Sequence, residues 1–154
     1  MANVNHSTLT DPYLHEPKGV STASSGQVYK ANGSGSGTWS SQTTRSVFTV
    51  HLADLSSAEN IYCPIPFGGT VSRVTSVLEG SIAGGDVTVT VKNSSAATMG
   101  TITVTQSGSA AGDIDSLDPS SNNTVTDNDY ILIQTDGGAS THVDFMVSVV
   151  VEHV

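Results

Sequence analysis

Alternation of period two constrains this chain more than any other feature. Val87, Val89 and Val91 alternate with Thr88, Thr90 and Lys92. In the closing segment, His142 to Glu152, the residues Val143, Phe145, Val147, Val149 and Val151 fall on one side. Side chains two apart point the same way only on a strand, so each run presents one apolar and one polar face of a sheet. The same pattern opens at Ser46, where Phe48, Val50 and Leu52 alternate with Val47, Thr49 and His51. Between these runs the chain supplies further strands. Ile61 to Ile65 is one, demoted by Pro64 to an edge or an irregular strand because proline cannot donate to a ladder. Thr70 to Glu79 is another, with Val74 and Leu78 expected on one face and Val71 and Val77 on the other. Thr101 to Thr105 places Ile102 and Val104 inward, and Tyr130 to Ile133 is a continuous apolar run that suits a central strand. Turn signals separate them at Phe67-Gly68-Gly69, Gly84-Gly85-Asp86, Asn93 to Ala97 and Asp136-Gly137-Gly138. A long polar loop is expected from Gln106 to about Asn128.

Charged residues make up only 12% of the 154 positions, so the straight-chain helix formers are scarce. Seven or eight strands with no helical segment of useful length predict an all-β fold, an antiparallel β-sandwich of jelly-roll or similar Greek-key type. No internal repeat is visible, which disfavours a solenoid or propeller. Residues 46–154 are long enough to bury a core of their own.

Residues 1–45 read differently. The stretch His15 to Trp39 is rich in Gly and Ser, yet it keeps spaced apolar residues. Such a segment reads as an extended N-terminal arm that orders on a partner surface. Gly33 to Gly37 reads as a flexible linker by composition. The expected division is an arm over 1–45 and a β-sandwich domain over 46–154.

Charge divides at the same place. In residues 1–45, Lys18, Lys30 and Arg45 stand against Asp11 and Glu16, a balance of +1. In residues 46–154, Arg73 and Lys92 stand against twelve acids, a balance of −10. An acidic body is repelled by phosphate backbones and by anionic lipid, so neither nucleic acid nor membrane is an expected partner. The first residues lack the basic and apolar regions of a signal peptide, and no apolar run approaches the roughly 20 residues of a membrane span. One cysteine, Cys63, permits no intrachain disulfide and reads as a small buried apolar side chain. Synthesis in a reducing cytoplasm fits.

Little in the chain suggests chemistry. His6, His15, His51, His142 and His153 read as solvent-facing or satisfied histidines. His142 and Asp144 share a strand face, but two ligands do not make a site and the sequence assigns no third. Asp113, Asp115 and Asp118, with Asp127 and Asp129, supply the oxygen that calcium wants, without the glycine and terminal acid of a calcium loop. A solvated acidic loop is expected there. No nucleophile elbow, phosphate loop or dinucleotide fingerprint is present. The expectation is a binding protein, not an enzyme, with no cofactor and no metal.

Three pieces of the arm carry a resemblance: His15-Glu16-Pro17-Lys18-Gly19, Gly26 to Gly33 (GQVYKANG) and Gly35-Ser36-Gly37-Thr38-Trp39. They resemble N-terminal regions of tailed-bacteriophage capsid decoration (cement) and head-fibre proteins. In the body, Val50 to Leu55, Pro66 to Thr70 and Ser109 to Asp115 are similar to the β-sandwich domains of those proteins. The resemblance implies a virion protein on the capsid exterior, made in the host cytoplasm, that assembles as a homotrimer and clamps the major capsid protein. The arm residues it would use are Tyr13, Leu14, Pro17, Lys18, Val20, Val28, Tyr29, Lys30 and Trp39. Aromatic anchors carry much of an interface's energy, and the lysines would pair with acids of the capsid. Similar arms on fibre and tail proteins leave a second possibility, an adhesin or carbohydrate-binding β-sandwich.

Overall fold

A computed structural model describes residues 22–34 and 36–153. Tyr13, Leu14, Pro17, Lys18 and Val20 lie outside the described residues. The chain divides into two units, the first within residues 1–43 and the second running Thr44–His153.

The described part of the first unit is a hairpin of β1 (Gln27–Ala31) and β2 (Gly37–Ser41), paired antiparallel. The second unit contains β3 (Thr44–Leu52), β4 (Asn60–Ile65), β5 (Gly69–Leu78), β6 (Val87–Asn93), β7 (Thr98–Val104), β8 (Ile114–Leu117), β9 (Thr124–Val125), β10 (Asp129–Thr135) and β11 (Phe145–His153). One sheet has the order β3-β11-β5-β8, with β9 also on β5, and the other has the order β4-β10-β6-β7. Both β8 and β9 lie along β5, so together they form one interrupted strand. Every pairing is antiparallel. The chain crosses between sheets after β3, β4, β5, β7, β9 and β10. This is the jelly roll that the alternation predicted.

The core lies between the inner faces. From β11 it takes Phe145, Val147, Val149 and Val151, and from β6 it takes Val87, Val89 and Val91, all fully buried. Leu52, Ile65, Leu78, Val104, Ile131 and Ile133 come from the neighbouring strands. Burial of this apolar surface is what drives the two sheets together. Pro64 does sit on an edge strand, and β10 is central in its sheet, hydrogen-bonded on both sides.

The structure corrects four expectations. Gln27–Ala31 and Gly37–Ser41, expected as parts of an extended arm, are paired strands, and Asn32, Gly33 and Ser34, expected partly as linker, belong to the turn between them. The second unit starts at Thr44, because Arg45 and Thr44 are already in register with Glu152 and His153 of β11. The polar stretch after Gln106 contains β8 and β9. The Asp and Ser of β8 and the two-residue length of β9 concealed them, but the backbone of β5 offers an open edge that they satisfy. Val71 does not oppose Val74: both are buried. The pairing with β11 shifts between Val150 and Val151, which face Arg73 and Val71 respectively, leaving Ser72 as the extra residue of a bulge. One inserted residue resets the alternation, so Val71 and Val74, three apart, share the inner face.

Candidate functional site

Two regions carry side chains suited to recognition or ligation, one in each unit.

In the hairpin, cross-strand register places Tyr29 opposite Trp39 and Lys30 opposite Thr38. Period two then puts Gln27, Tyr29 and Ala31 with Gly37, Trp39 and Ser41 on one face, and Val28 and Lys30 with Thr38 and Ser40 on the other. The Tyr29 and Trp39 rings meet edge to face, with centroids 5.4 Å apart and planes at 61°. Such a pair contributes roughly 0.5–1.5 kcal/mol beyond its buried area. The loop is built by Asn32, whose carboxamide oxygen accepts from the Ser34 amide at 2.9 Å and the Ser36 amide at 3.2 Å. Gly33 takes the left-handed conformation that this turn needs, at φ +77°. A Cβ on Gly37 would strike the Lys30 carbonyl and the Tyr29 ring, so only glycine lets the ring lie across β2. Of the nine arm residues singled out by sequence, Tyr29 and Trp39 are thus brought together on one face, while Val28 and Lys30 lie on the opposite face of the same hairpin. A two-stranded hairpin is only marginally stable alone.

In the second unit, the face of the β3-β11-β5 sheet turned away from the core carries a histidine–carboxylate cluster. Phe145, Leu52 and Leu78 point inward, so Asp144, His51 and Glu79 point outward, one from each of three neighbouring strands or their ends. The Glu79 amide donates to the Asp144 carbonyl at 3.0 Å, extending the ladder one step past β5 and β11. His51 Nε2 lies 3.3 Å from Asp144 Oδ2. His142, two residues before Asp144, also faces out; its Nε2 is 3.5 Å from Asp144 Oδ1 and its Nδ1 is 3.5 Å from Asp54 Oδ2. Asp54 is held by Ser56, whose hydroxyl and amide donate to Oδ1 at 2.6 and 2.8 Å. Those bonds hold the Asp54 carboxyl below its ordinary range, the hydroxyl contributing most. One atom each from His51, Glu79 and Asp144 lies within 4.8 Å of the other two. Sequence reasoning found the His142–Asp144 pair but not the third group, because His51 and Glu79 lie far off along the chain.

The remaining candidates serve structure. His153 bridges the Gly68 carbonyl at 2.6 Å and the Ser46 hydroxyl at 3.0 Å. The aspartates of the 113–129 region do not converge. Asp113 accepts from the Ala110 amide, Asp127 from the Gly68 amide, Asp129 from the Tyr130 amide, and Asp118 forms a two-pronged pair with Arg73 at 2.7 and 2.9 Å. Cys63 is fully buried, and burial pushes its thiol up to about 11. Tyr62 and Tyr130 are 58% and 38% exposed. Their rings meet edge to face at 5.2 Å on the outer face of the β4-β10 pair.

No family model and no curated protein matches the chain. Among solved structures, a chain of the capsid asymmetric unit of cyanophage Pam1 is similar over 100% of both chains, at 16% identity and a TM-score of 0.45. A chain of the disulfide-linked pili that form Bacillus endospore appendages is similar over 73% of this chain and 89% of its own, at 16% identity and a TM-score of 0.36.

Proposed function

We propose that this protein is a non-enzymatic virion component that binds the major capsid protein on the outside of an icosahedral phage shell and stabilises it. The reading starts from the resemblance of the arm motifs to those of decoration proteins. One observation carries it further: among the described residues, every buried member of the hydrophobic core lies between Leu52 and Val151, so the described hairpin strands supply none. The hairpin nevertheless keeps an edge-to-face Tyr29–Trp39 pair and an exposed Lys30, which the jelly roll does not need for its core. Large aromatics and a cation outside the core are the chemistry of an interface anchor. The second unit, with Arg45, Arg73 and Lys92 against twelve acids, keeps the particle surface acidic and soluble.

A homotrimer belongs to the same proposal, since three arms on one assembly gain avidity. The surface that suits self-association is the outer face of the β3-β11-β5-β8 sheet. There Met146, Val77 and Ile114 form an apolar row in register, beside a row of hydroxyls from Thr49, Ser148, Thr75 and Ser116.

Co-sedimentation with cognate capsid shells tests the arm. A protein lacking residues 1–43 is expected to fold and to stay in the supernatant, and Trp39→Ala is expected to weaken binding about tenfold or more, as hot-spot aromatics do. Undiminished binding by the truncated protein defeats the proposal.

The exposed Tyr62–Tyr130 pair favours one second reading, a fibre- or tail-associated carbohydrate-binding sandwich. Specific glycan binding that Tyr62→Ala abolishes, together with indifference to capsid shells, would select it.

A further inference from the structure

The geometry points to a zinc-class divalent metal site on the outer face of the jelly roll, with His51, Glu79 and Asp144 as its protein ligands. Three observations converge on it. The first is topology. β11 is the middle strand of β3-β11-β5, so Asp144, the residue just before it, is flanked by His51 of β3 on one side and by Glu79, just past β5, on the other. Three strand ends held by backbone ladders offer a preorganised set of donors, unlike three side chains on one mobile loop.

The second is distance. His51 Nε2 and Asp144 Oδ2 are 3.3 Å apart, close to the separation of two neighbouring donors that each sit about 2.0–2.2 Å from one zinc ion. A Glu79 carboxylate oxygen completes the group within 4.8 Å of the other two. One imidazole and two carboxylates with room for water suit zinc and the neighbouring transition ions. Magnesium and calcium prefer all-oxygen sets.

The third is charge. Asp54, Glu79 and Asp144 gather here, while the three cationic side chains of the second unit are engaged elsewhere. Arg45 pairs with Glu152, Arg73 with Asp118, and Lys92 donates to Gln134. A divalent ion would supply the countercharge that no arginine or lysine of this unit brings. His142 stands between Asp144 and Asp54 with one ring nitrogen toward each, the arrangement that orients a ligating carboxylate from behind. The bound ion would tie β3, β5 and β11 together at one end of the sheet, a structural role that needs no open chemistry.

Isothermal titration of the full-length, metal-stripped protein with zinc chloride tests the site. The expected result is one ion per chain with a Kd of about 10 µM or tighter, and a rise in melting temperature that chelator reverses. Magnesium chloride is expected to give neither. His51→Ala, Glu79→Gln and Asp144→Asn are each expected to weaken zinc binding at least about tenfold, while their metal-free melting temperatures stay near that of the parent. That last comparison separates a lost ligand from a damaged fold. Binding weaker than about 100 µM, or tight binding that survives His51→Ala, overturns the assignment.

Discussion

Phe145 and Met146 are neighbours in sequence and opposites in environment, and that contrast tests the whole architecture. Phe145 is 0% exposed and is the largest fully buried side chain, set between Leu52 of β3 and Leu78 of β5. Met146 is 39% exposed, paired with His51 and Val77 on the outer face. A buried phenylalanine takes about 150–250 Å² out of water, which at about 25 cal/mol per Å² is worth roughly 4–6 kcal/mol as an upper bound. Truncation to alanine keeps part of that contact but leaves a cavity, so Phe145→Ala is expected to cost about 3–5 kcal/mol. A domain of this size has a total stability of about 5–15 kcal/mol, so the loss is a large fraction of it. Met146→Ala is expected to stay within about 0.5 kcal/mol of the parent, as surface changes do. Urea unfolding followed by circular dichroism reads both, through the shift in midpoint at constant slope. Equal costs for the two variants would mean that the alternation along β11 does not define an inner and an outer face.

Three further outcomes follow from the packing and the charges. Val71→Lys is expected to destabilise by several kcal/mol, because the bulge at Ser72 turns Val71 inward, whereas strict alternation from Val74 would leave it outside; a neutral result in the same urea assay would remove the bulge. The Cys63 thiol, buried and held up to about 11, is expected to resist alkylation at pH 8 in the folded protein and to react fully in denaturant; ready labelling without denaturant would contradict its burial. Acid is expected to lower the melting temperature. Asp118, Asp129 and Asp54 are each held below the ordinary carboxylate value, chiefly by hydrogen bonds from Arg73, Ser94 and Ser56. A carboxyl depressed on folding stabilises above its unfolded value, near 3.9, and loses that contribution as pH falls through the lower folded value. Asp115 acts in the opposite sense, because burial and the nearby Asp113 raise it. Asp118→Asn is therefore expected to flatten the melting temperature's decline below about pH 4, and an unchanged decline would show that the Arg73 pair contributes nothing.

The order of residues along the chain dictates the class of fold and most of the core. Period-two runs at Phe48–Leu52, Val87–Val91 and Val143–Val151 leave a chain one way to hide its apolar side, and two stacked sheets are that way. It also singled out Val28, Tyr29 and Trp39 as apolar residues spaced through a polar stretch, although composition alone hid the strands that carry them. The hairpin escaped notice because its loop depends on one asparagine folding back on two amides, a local bond that Gly/Ser content hides. Tertiary structure decided what depends on long-range pairing. β8 and β9 exist because β5 offers them an edge, and Val71 faces inward because one residue bulges against β11. His51, Glu79 and Asp144 meet only because β11, last along the chain, inserts between β3 and β5. Alternation is a property of neighbours in sequence, and so a chain displays it openly. Adjacency across a sheet is fixed by which strand pairs with which, and nothing local records that choice.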